Sequence, residues 1–471
     1  MKWTISIEFT PDGDKPIRRD LGTFSRPLAD LMPEQIGLTL EEGRQLLQVV
    51  ERAMIGNQIH AYTLYRQYCQ SCGKRQHYKD VRTKCVQTVF GGYRLRSRRI
   101  RTCLCRLLCG GPTAYFPTAE IIPRRTTPEV RYLLAELGAR MPYREAARVL
   151  SICGFAGMRA GRSAIRRHTI EASHFIEGKQ LNDGYAPANP PTHGARTICV
   201  GIDDTYPKNC KRTTRGQFQV TGGRFERDGK LEGRFAFVSS MPGWTPMQFA
   251  GILRQHGRVA KTEVSVVNDG DKGLRNFVGR IMDRRVESQL DWLHIGMRLE
   301  HLRRVVRMPT TYAEYRQNPE ASKPLDQRVS KLRNALWVGR PWRASLLFAK
   351  LRRDVERWSL RYPGRSPDAV SRALRVIDGF QGYVCGNRRS IPNFARARAT
   401  GRRVSTAHVQ SVMNHLINQR MSKRQQMRWS PAAAHYLLQV RVEVLNGTFL
   451  DCFRRWHGRF RAPSSFQTCP A

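Results

Sequence analysis

The sequence predicts a multidomain α/β protein, and three observations support this prediction. The chain has 471 residues, more than one ordinary domain of about 100 to 200 residues. Hydrophobic residues make up 40% and charged residues 25% of it, as in folded proteins. Helical hydrophobic periodicity dominates before residue 180, and short alternating strand patterns begin near residue 197. We therefore expect several folded domains, with a mixed sheet in the later part of the chain.

The net charge of the chain is strongly positive. It has 81 lysines and arginines against 38 acidic residues, a formal net charge of +43. A compact protein tolerates this excess best when a polyanion neutralises it, so nucleic acid is the expected partner. An anionic membrane surface and a solvated basic face are the alternatives, although no basic amphipathic anchor stands out. Without a secretory signal or a run of 18 apolar residues, we expect a cytoplasmic, nucleoid-associated protein with no membrane contact.

Two close cysteine pairs occur among the 12 cysteines of the chain. Cys69 and Cys72 form the first pair, and Cys103 and Cys105 form the second. A reducing compartment argues against disulfides, so close cysteines favour metal binding. Four thiolates can hold Zn²⁺ in a tetrahedron and give shape to a small hairpin with little core. We predict a zinc ribbon at residues 67–126, with buried free thiols as the alternative.

Basic residues surround the cysteine pairs and recur in the helical stretch that follows. A ribbon rich in arginine can contact phosphates. Three helices are then predicted, at Pro128–Met141, Tyr143–Ser151 and Ser163–Ile176, which suggests a helix-turn-helix whose third helix can enter a major groove. The alternative is a three-helix bundle with solvated arginines. The candidate DNA contacts in these two regions are Arg98, Arg99, Arg101, Arg162, Arg166 and Arg167.

Two strand-like segments of the later part each end in an aspartate. The segment Thr197–Ile202 precedes Asp203, and a second apolar segment precedes Asp269. Between them lie two predicted strands, Gln217–Gly222 and Arg234–Ser239, which are joined through Asp228-Gly229, a hairpin turn signal. A predicted helix follows them. This order is how an RNase H-like mixed sheet brings two carboxylates together. Such a pair can bridge two Mg²⁺ (or Mn²⁺) ions about 4 Å apart.

Several stretches together resemble a known family. They are Val200-Gly-Ile-Asp203, Asn268-Asp269-Gly-Asp271, Leu290-Asp-Trp-Leu-His294-Ile, Ser405-Thr406, Gln425-Gln-Met-Arg-Trp429 and Leu438-Gln-Val-Arg441. The chain resembles, from about Cys69 to Phe460, the Kra group of bacterial insertion-sequence transposases in the DDE superfamily. The resemblance implies an RNase H-like catalytic core interrupted by a helical insertion, with a third acid on a C-terminal helix. It also implies binding of the element's terminal inverted repeats and target DNA, metal-dependent phosphodiester cleavage, strand transfer, and a homo-oligomer on double-stranded DNA.

One position departs from the family pattern. The third carboxylate of the family lies just after Ser-Thr, where this sequence has Gln410. No aspartate or glutamate occurs from Gly379 to Val442, so no near neighbour replaces it. A glutamine carbonyl brings no charge to a divalent ion, and cleavage is expected to suffer. The alternative function is therefore a catalytically inactive or repurposed transposase that acts as a sequence-specific DNA-binding protein.

The same acid-free stretch is rich in arginine and lysine, and it is the expected track for the DNA backbone. A solvated basic face is the alternative. Its candidate contacts are Arg396, Arg398, Arg402, Arg403, Arg420, Lys423 and Arg424.

Near the core, His294 can contact the scissile phosphate or orient a metal-bound group, or it is a packed core histidine. Trp337, Trp342 and Trp358 are expected in the core of the insertion rather than as base-stacking platforms.

These patterns divide the chain into seven segments. We expect an N-terminal helical and strand region at 1–66, the zinc ribbon-like domain at 67–126, the helix-turn-helix at 127–180, a linker at 181–195, the first part of the RNase H-like core at 196–302, the helical insertion at 303–385, and the C-terminal part of the core, with the third-acid helix, at 386–460. In the N-terminal region, apolar residues at helical spacing predict a helix from Leu38 to His60.

Overall fold

The computed structural model describes residues 1–10, 15–29, 31–153, 160–182, 194–210, 216–241, 246–271, 273, 286–307, 323–361, 367–405, 407–421, 428–458 and 460. The structure is mixed α/β, as the sequence predicted. It divides into two compact units, the first formed by Met1–Phe175 with Gly447–Ala471 and the second by Ile176–Asn446. The predicted seven-segment division stays a prediction.

Ten strands of the described residues form three sheets. The strands are β1 (Lys2–Phe9), β2 (Ile17–Ser25), β3 (Tyr78–Gln87), β4 (Gly92–Arg101), β5 (Ala114–Tyr115), β6 (Thr197–Thr205), β7 (Val220–Arg227), β8 (Lys230–Val238), β9 (Glu263–Asn268) and β10 (Val286–Leu290). β1 and β2 form a two-stranded sheet, β3 to β5 a three-stranded sheet, and β6 to β10 a five-stranded sheet.

The described helices occur before, between and after these strands. They are α1 (Leu40–Arg66), α2 (Leu104–Leu107), α3 (Pro117–Ile121), α4 (Pro128–Arg140), α5 (Tyr143–Cys153), α6 (Arg162–Asn182), α7 (Pro246–Gln255), α8 (Trp292–Arg307), α9 (Lys323–Trp337), α10 (Pro341–Arg361), α11 (Pro367–Gly386), α12 (Phe394–Ala399), α13 (Ala407–Met413), α14 (Gln419–Met421), α15 (Pro431–Asn446) and α16 (Phe449–Trp456).

The first unit contains the predicted hairpin and the predicted three helices. β3 and β4 pair antiparallel, and β5 adds to β4. Helices α4, α5 and α6 share a core that includes Val130, Leu150 and Ile165. The third helix runs beyond its predicted end at Ile176 to Asn182. Most of the predicted turn before it, and most of the predicted linker after it, lie outside the described residues.

Helix α1 begins later and ends later than predicted. The sequence suggested Leu38 to His60, whereas the helix spans Leu40–Arg66. Its start is set by a capping box, in which the Thr39 hydroxyl accepts from the Glu42 amide and the Glu42 carboxylate accepts from the Thr39 amide. Two otherwise unpaired backbone groups are satisfied in this way.

The C-terminal helix α16 packs within the first unit, a contact that the sequence did not predict. The Tyr132 ring of α4 lies 5.3 Å from Phe449, in a stacked arrangement. The guanidinium of buried Arg131 lies 4.0 Å from the centre of the Trp456 ring. Such aromatic and cation–π contacts help to fix the helix, although α16 is distant in sequence from α4.

The five-stranded sheet of the second unit has the order β10-β9-β6-β7-β8. β6, β7 and β8 pair antiparallel, whereas β6, β9 and β10 pair parallel. The hairpin strands were predicted at Gln217–Gly222 and Arg234–Ser239, but they extend to the turn at both sides of Asp228-Gly229. Both turn residues have positive φ, 49° and 82°, so the two-residue turn allows pairing up to its edges.

Helices α8 to α11 form a second core in this unit. Its buried residues include Leu302, Val329 and Phe348. Trp337 and Trp358 pack against this core, as expected. Trp342 does not, because it is 66% exposed on the first turn of α10, so the core prediction for Trp342 is wrong.

His256, at the end of α7, makes the stability of the second unit sensitive to acid. Its ring lies 4.1 Å from that of Phe225, and burial, with a smaller effect of Arg227, lowers the pKa of His256 to about 4. A depressed histidine pKa gives stability that is full above about 6.5 and is lost as the pH falls toward 4.

We expect His256→Phe to remove up to about 3 kcal/mol of the pH dependence of unfolding between pH 7 and pH 4. Urea unfolding of both proteins at several pH values measures the difference. His301→Phe, at an exposed histidine of the same unit, is the control. Parallel pH profiles for the wild type and His256→Phe would contradict the prediction.

Candidate metal centres and nucleic-acid interface

Asp203 and Asp269 lie at the same edge of the five-stranded sheet. β6 and β9 are parallel, and Gly201 pairs with Val267. Asp203 comes two residues after Gly201, and Asp269 comes two residues after Val267. The strand register therefore puts the two aspartates next to each other. Asp203 is still within β6, and Asp269 comes directly after the last residue of β9. The two side chains that the sequence singled out therefore come together.

The electrostatics of Asp203 reflect burial next to another acid. Burial is the main cause that raises the pKa of Asp203 to about 6, and the charge of Asp269 adds to it. The Asp204 amide donates to Asp203 Oδ1 at 2.9 Å, which together with His294 opposes the rise. A buried carboxylate beside a second carboxylate is stabilised in its charged form by a cation.

Asp204 follows Asp203 in the chain, but its carboxylate is hydrogen-bonded to side chains at the start of β7. Its carboxylate oxygens accept hydrogen bonds from the Thr221 hydroxyl at 2.6 Å and the Gln219 amide at 2.7 Å. Successive strand residues point to opposite faces. Asp203 therefore presents its side chain to the other face of the sheet, where α13 packs.

His294 lies in the electric field of the acid pair. Its Nδ1 is 2.7 Å from Oδ2 of Asp291, which is fully buried. This hydrogen bond is the main cause that raises the pKa of His294, and the charges of Asp203 and Asp269 act in the same direction. Burial opposes the rise. The Asp291 contact leaves the other ring nitrogen of His294 for a different partner.

The helix that carries Gln410 runs alongside Asp203. Val409 lines a small cavity with Gly201 and Val267, the residues two positions before the two aspartates. One turn later, a Cβ at Gly222 would lie 2.9 Å from the Met413 sulfur, so this helix packs closely against β7 at Gly222. Gly222 is the strand partner of Asp203. Gln410 lies between these contacts and is exposed.

Two residues near Asp269 were missed by the sequence reasoning. The Tyr383 hydroxyl of α11 donates to the Asp269 carbonyl at 2.7 Å. A Cβ at Gly270 would lie 2.9 Å from Oδ1 of Asn387, whose Nδ2 donates to the Tyr383 carbonyl. Their spacing of four residues, which puts both on one helix face, was the available signal. Helix α11 and the residue that follows it thus support the loop that carries the second aspartate.

The four predicted zinc ligands form a compact group. The sulfur atoms of Cys69, Cys72, Cys103 and Cys105 all lie within 4.8 Å of one another. The Cys72–Cys103 and Cys103–Cys105 sulfur separations are 3.4 and 3.5 Å, near the edge length of a tetrahedron with Zn–S bonds of about 2.3 Å. The group can hold a zinc ion.

Backbone geometry favours the thiolate form of Cys69. Backbone N–H groups of Cys72 and Ser71 are the main cause that lowers the pKa of Cys69 to about 6. The turn closes through a hydrogen bond from the Gly73 amide to the Cys69 carbonyl at 2.8 Å, and Gly73 has a φ of 70°, which favours glycine. Thiolates are the form that binds metal.

The predicted DNA contacts of the first unit are on its surface. Arg162, Arg166 and Arg167 are exposed on α6. In the ribbon, Arg99 forms an ion pair with Asp80, and Arg98 lies 4.7 Å from the centre of the Tyr78 ring. Arg101 is exposed.

The predicted contacts of the second unit fall into four groups. Arg396 and Arg398 are exposed on α12. Arg402 pairs with Glu263 and Glu287, at 2.7 and 3.3 Å, and Arg403 pairs with Glu226 at 2.8 Å. Arg420 is 2% exposed and lies 5.2 Å from the Trp429 ring centre, so we leave it out of the proposed DNA-contacting set. Lys423 and Arg424 lie outside the described residues.

Comparisons with known proteins give a low-scoring likeness among solved structures. No family model and no curated protein matches the sequence. Among solved structures, the chain is similar to a Drosophila P element transposase strand transfer complex, at 10% identity over 76% of this chain and 84% of that chain, with a TM-score of 0.24. A TM-score this low establishes no shared fold.

Within the described residues, none of the helices is both long and apolar enough to cross a membrane.

Proposed function

We propose that the protein is a DNA transposase whose five-stranded sheet is an RNase H-like core. The observation that carries the proposal is the parallel register of β6 and β9, which brings Asp203 and Asp269 to one sheet edge. The sheet order, with three antiparallel strands followed by two parallel ones, supports this core. A helical segment lies between β10 and the helix of Gln410, which agrees with an interrupted core.

The residues at the sheet edge fit a divalent cation. Asp203 and Asp269 supply hard oxygen ligands of the kind that Mg²⁺ or Mn²⁺ prefers. The pKa of Asp203 is raised mainly by burial, with a contribution from the charge of Asp269, so a bound cation would favour the charged form of the pair. When bound, the metal would supply activation of a nucleophilic oxygen and stabilisation of the leaving one. His294, oriented by buried Asp291, is placed to donate a hydrogen bond to the scissile phosphate.

Double-stranded DNA is the proposed partner, because basic groups recur on both units. In the first unit, the zinc-binding hairpin and the exposed arginines of α6 are proposed to bind the element's terminal inverted repeats. In the second, Arg396 and Arg398 are proposed to contact the backbone of the DNA, including target DNA. We further propose that a homo-oligomer forms on DNA, because joining two ends in one complex takes more than one subunit.

A second candidate function is a DNA-binding protein without cleavage activity. Gln410 favours it, because a neutral amide stands where the resemblance implies the third carboxylate. The zinc-binding cysteines and the basic helices would then serve DNA binding alone.

Metal binding tests the proposed acid pair directly. We expect Mn²⁺ titrated into the full chain to bind about tenfold or more weakly to Asp203→Asn and to Asp269→Asn, because each variant removes one charged ligand. Calorimetry measures the affinity. Asp271→Asn, in the same loop and exposed, is the matched control and should bind like the wild type.

Asparagine at position 203 is not expected to unfold the protein, since burial already disfavours the charged carboxylate there. Circular dichroism of each variant checks the fold. Equal Mn²⁺ affinity of the wild type and both acid variants would overturn the proposed catalytic site.

A further inference from the structure

A cavity in the second unit is lined by His294, which interacts electrostatically with the acid pair. It has a volume of about 470 Å³ and opens to solvent between α8 and α11. Helix α8 contributes His294, Met297, Arg298 and His301 to the lining, and α11 contributes Val376, Gly379 and Phe380. The lining is thus partly basic or polar and partly apolar.

The basic and polar residues of the lining lie along one helix. His294, Arg298 and His301 are spaced by four and then three residues, which puts them on one face of α8. His294, the first of them, interacts electrostatically with Asp203 and Asp269. Arg298 and His301 are exposed, so the guanidinium of Arg298 and the imidazole ring of His301 are accessible to a ligand.

A second connection runs through Tyr383 at the side of the cavity. The guanidinium of Arg298 lies 4.0 Å from the centre of the Tyr383 ring. The hydroxyl of the same tyrosine donates to the Asp269 carbonyl at 2.7 Å. A ligand held by Arg298 is thus one side chain away from the loop of the second aspartate.

The basic and the apolar residues of the lining together suit an anion that carries a flat apolar part. Arginine and histidine recognise phosphate, and nucleobases stack on apolar and aromatic side chains. The volume is that of a site for one small molecule. A base that stays stacked and paired in a duplex cannot enter such a cavity, whereas an unpaired nucleotide can.

We propose that this cavity binds one unpaired nucleotide next to the phosphodiester held at the acid pair. Its phosphate contacts Arg298 and His301, and its base lies against Met297, Val376 and Phe380. The position relative to the cleaved bond rests on the proposed function, but binding of the single strand does not require cleavage. The protein therefore prefers DNA in which a nucleotide is unpaired.

The test uses the full chain, a 20-nucleotide oligothymidylate and a 20-base-pair duplex. We expect Arg298→Ala to weaken binding of the oligothymidylate about fivefold, because it removes a phosphate contact, and to change binding of the duplex much less. Arg304→Ala is the matched control, since Arg304 is exposed on the same helix and does not line the cavity. It should leave the ratio of the two affinities unchanged. Fluorescence anisotropy measures both affinities.

A second readout locates the bound strand. Oligothymidylate with one 5-iodouracil is cross-linked by light, and the modified peptides are identified by mass spectrometry. We expect cross-links in residues 294–301 and 376–380 that Arg298→Ala reduces. Should Arg298→Ala fold poorly by circular dichroism, Met297→Glu, at a residue that is 47% exposed, replaces it with the same expected losses.

Cross-links only elsewhere, or equal oligothymidylate affinity in the wild type and Arg298→Ala, would overturn the proposal. Its failure differs from failure of the proposed catalytic site. The latter appears as unchanged Mn²⁺ binding in Asp203→Asn, a measurement that contains no DNA.

Discussion

Replacing Gln410 with glutamate is expected to raise Mg²⁺-dependent DNA cleavage about 100-fold, the size of effect seen when one group that stabilises a transition state is gained or lost. The reason is charge. With Asp203 and Asp269 alone, two carboxylates face the metal, and a glutamine amide adds none. The helix of Gln410 already packs beside Gly201 and opposite Gly222, the strand partner of Asp203.

The measurement is nicking of supercoiled plasmid with Mg²⁺ and, separately, Mn²⁺. Ser411→Glu is the matched control, because it adds the same charge one residue further along at another exposed position. It should not raise cleavage. The gain should also disappear when Gln410→Glu is combined with Asp203→Asn. Equal rates for the unaltered protein and Gln410→Glu would contradict the role assigned to position 410.

Loss of zinc is expected to unfold the ribbon and to abolish its part in DNA binding. Zinc sites of this kind contribute on the order of 10 kcal/mol to folding. The β3–β4 hairpin has few buried apolar residues of its own, among them Val86, Tyr93 and Ile100. We therefore expect about one zinc per purified chain, and little zinc in Cys72→Ser or Cys103→Ser.

Elemental analysis gives the zinc content, and proteolysis of the chain with and without a chelator reports the fold of the ribbon. Cys85→Ser provides the control, because Cys85 is exposed on β3 and lies outside the four-cysteine group. It should retain zinc. A zinc-free protein whose ribbon resists protease as well as the wild type does would show that the cysteines are structural thiols.

Local signals in the sequence predicted much of the second unit. Alternating apolar residues ended in Asp203 and in Asp269, and the Asp228-Gly229 turn indicated the hairpin. These signals work because strand periodicity and turn conformation depend on neighbouring residues. The strand bounds were less accurate, since pairing across the sheet extends each strand as far as its partner allows.

The zinc ligands, too, were only partly predictable from the sequence. The spacing of Cys69 and Cys72, and of Cys103 and Cys105, indicated the four residues, because two ligands of a small metal must lie close in the chain or be joined by a fold. The separation of the two pairs along the chain gave no information on whether they meet. The β3–β4 hairpin brings them together.

By itself, the sequence determined the residue types and their local order: a basic chain, two cysteine pairs, two aspartates after strands, and glutamine at position 410. Only the tertiary structure decided which of these meet. It put Tyr383 on the Asp269 carbonyl, paired Arg402 and Arg403 with glutamates, buried Arg420, and opened the cavity beside His294. Such contacts join residues that are distant in the chain, and their geometry depends on how whole elements pack rather than on any local pattern.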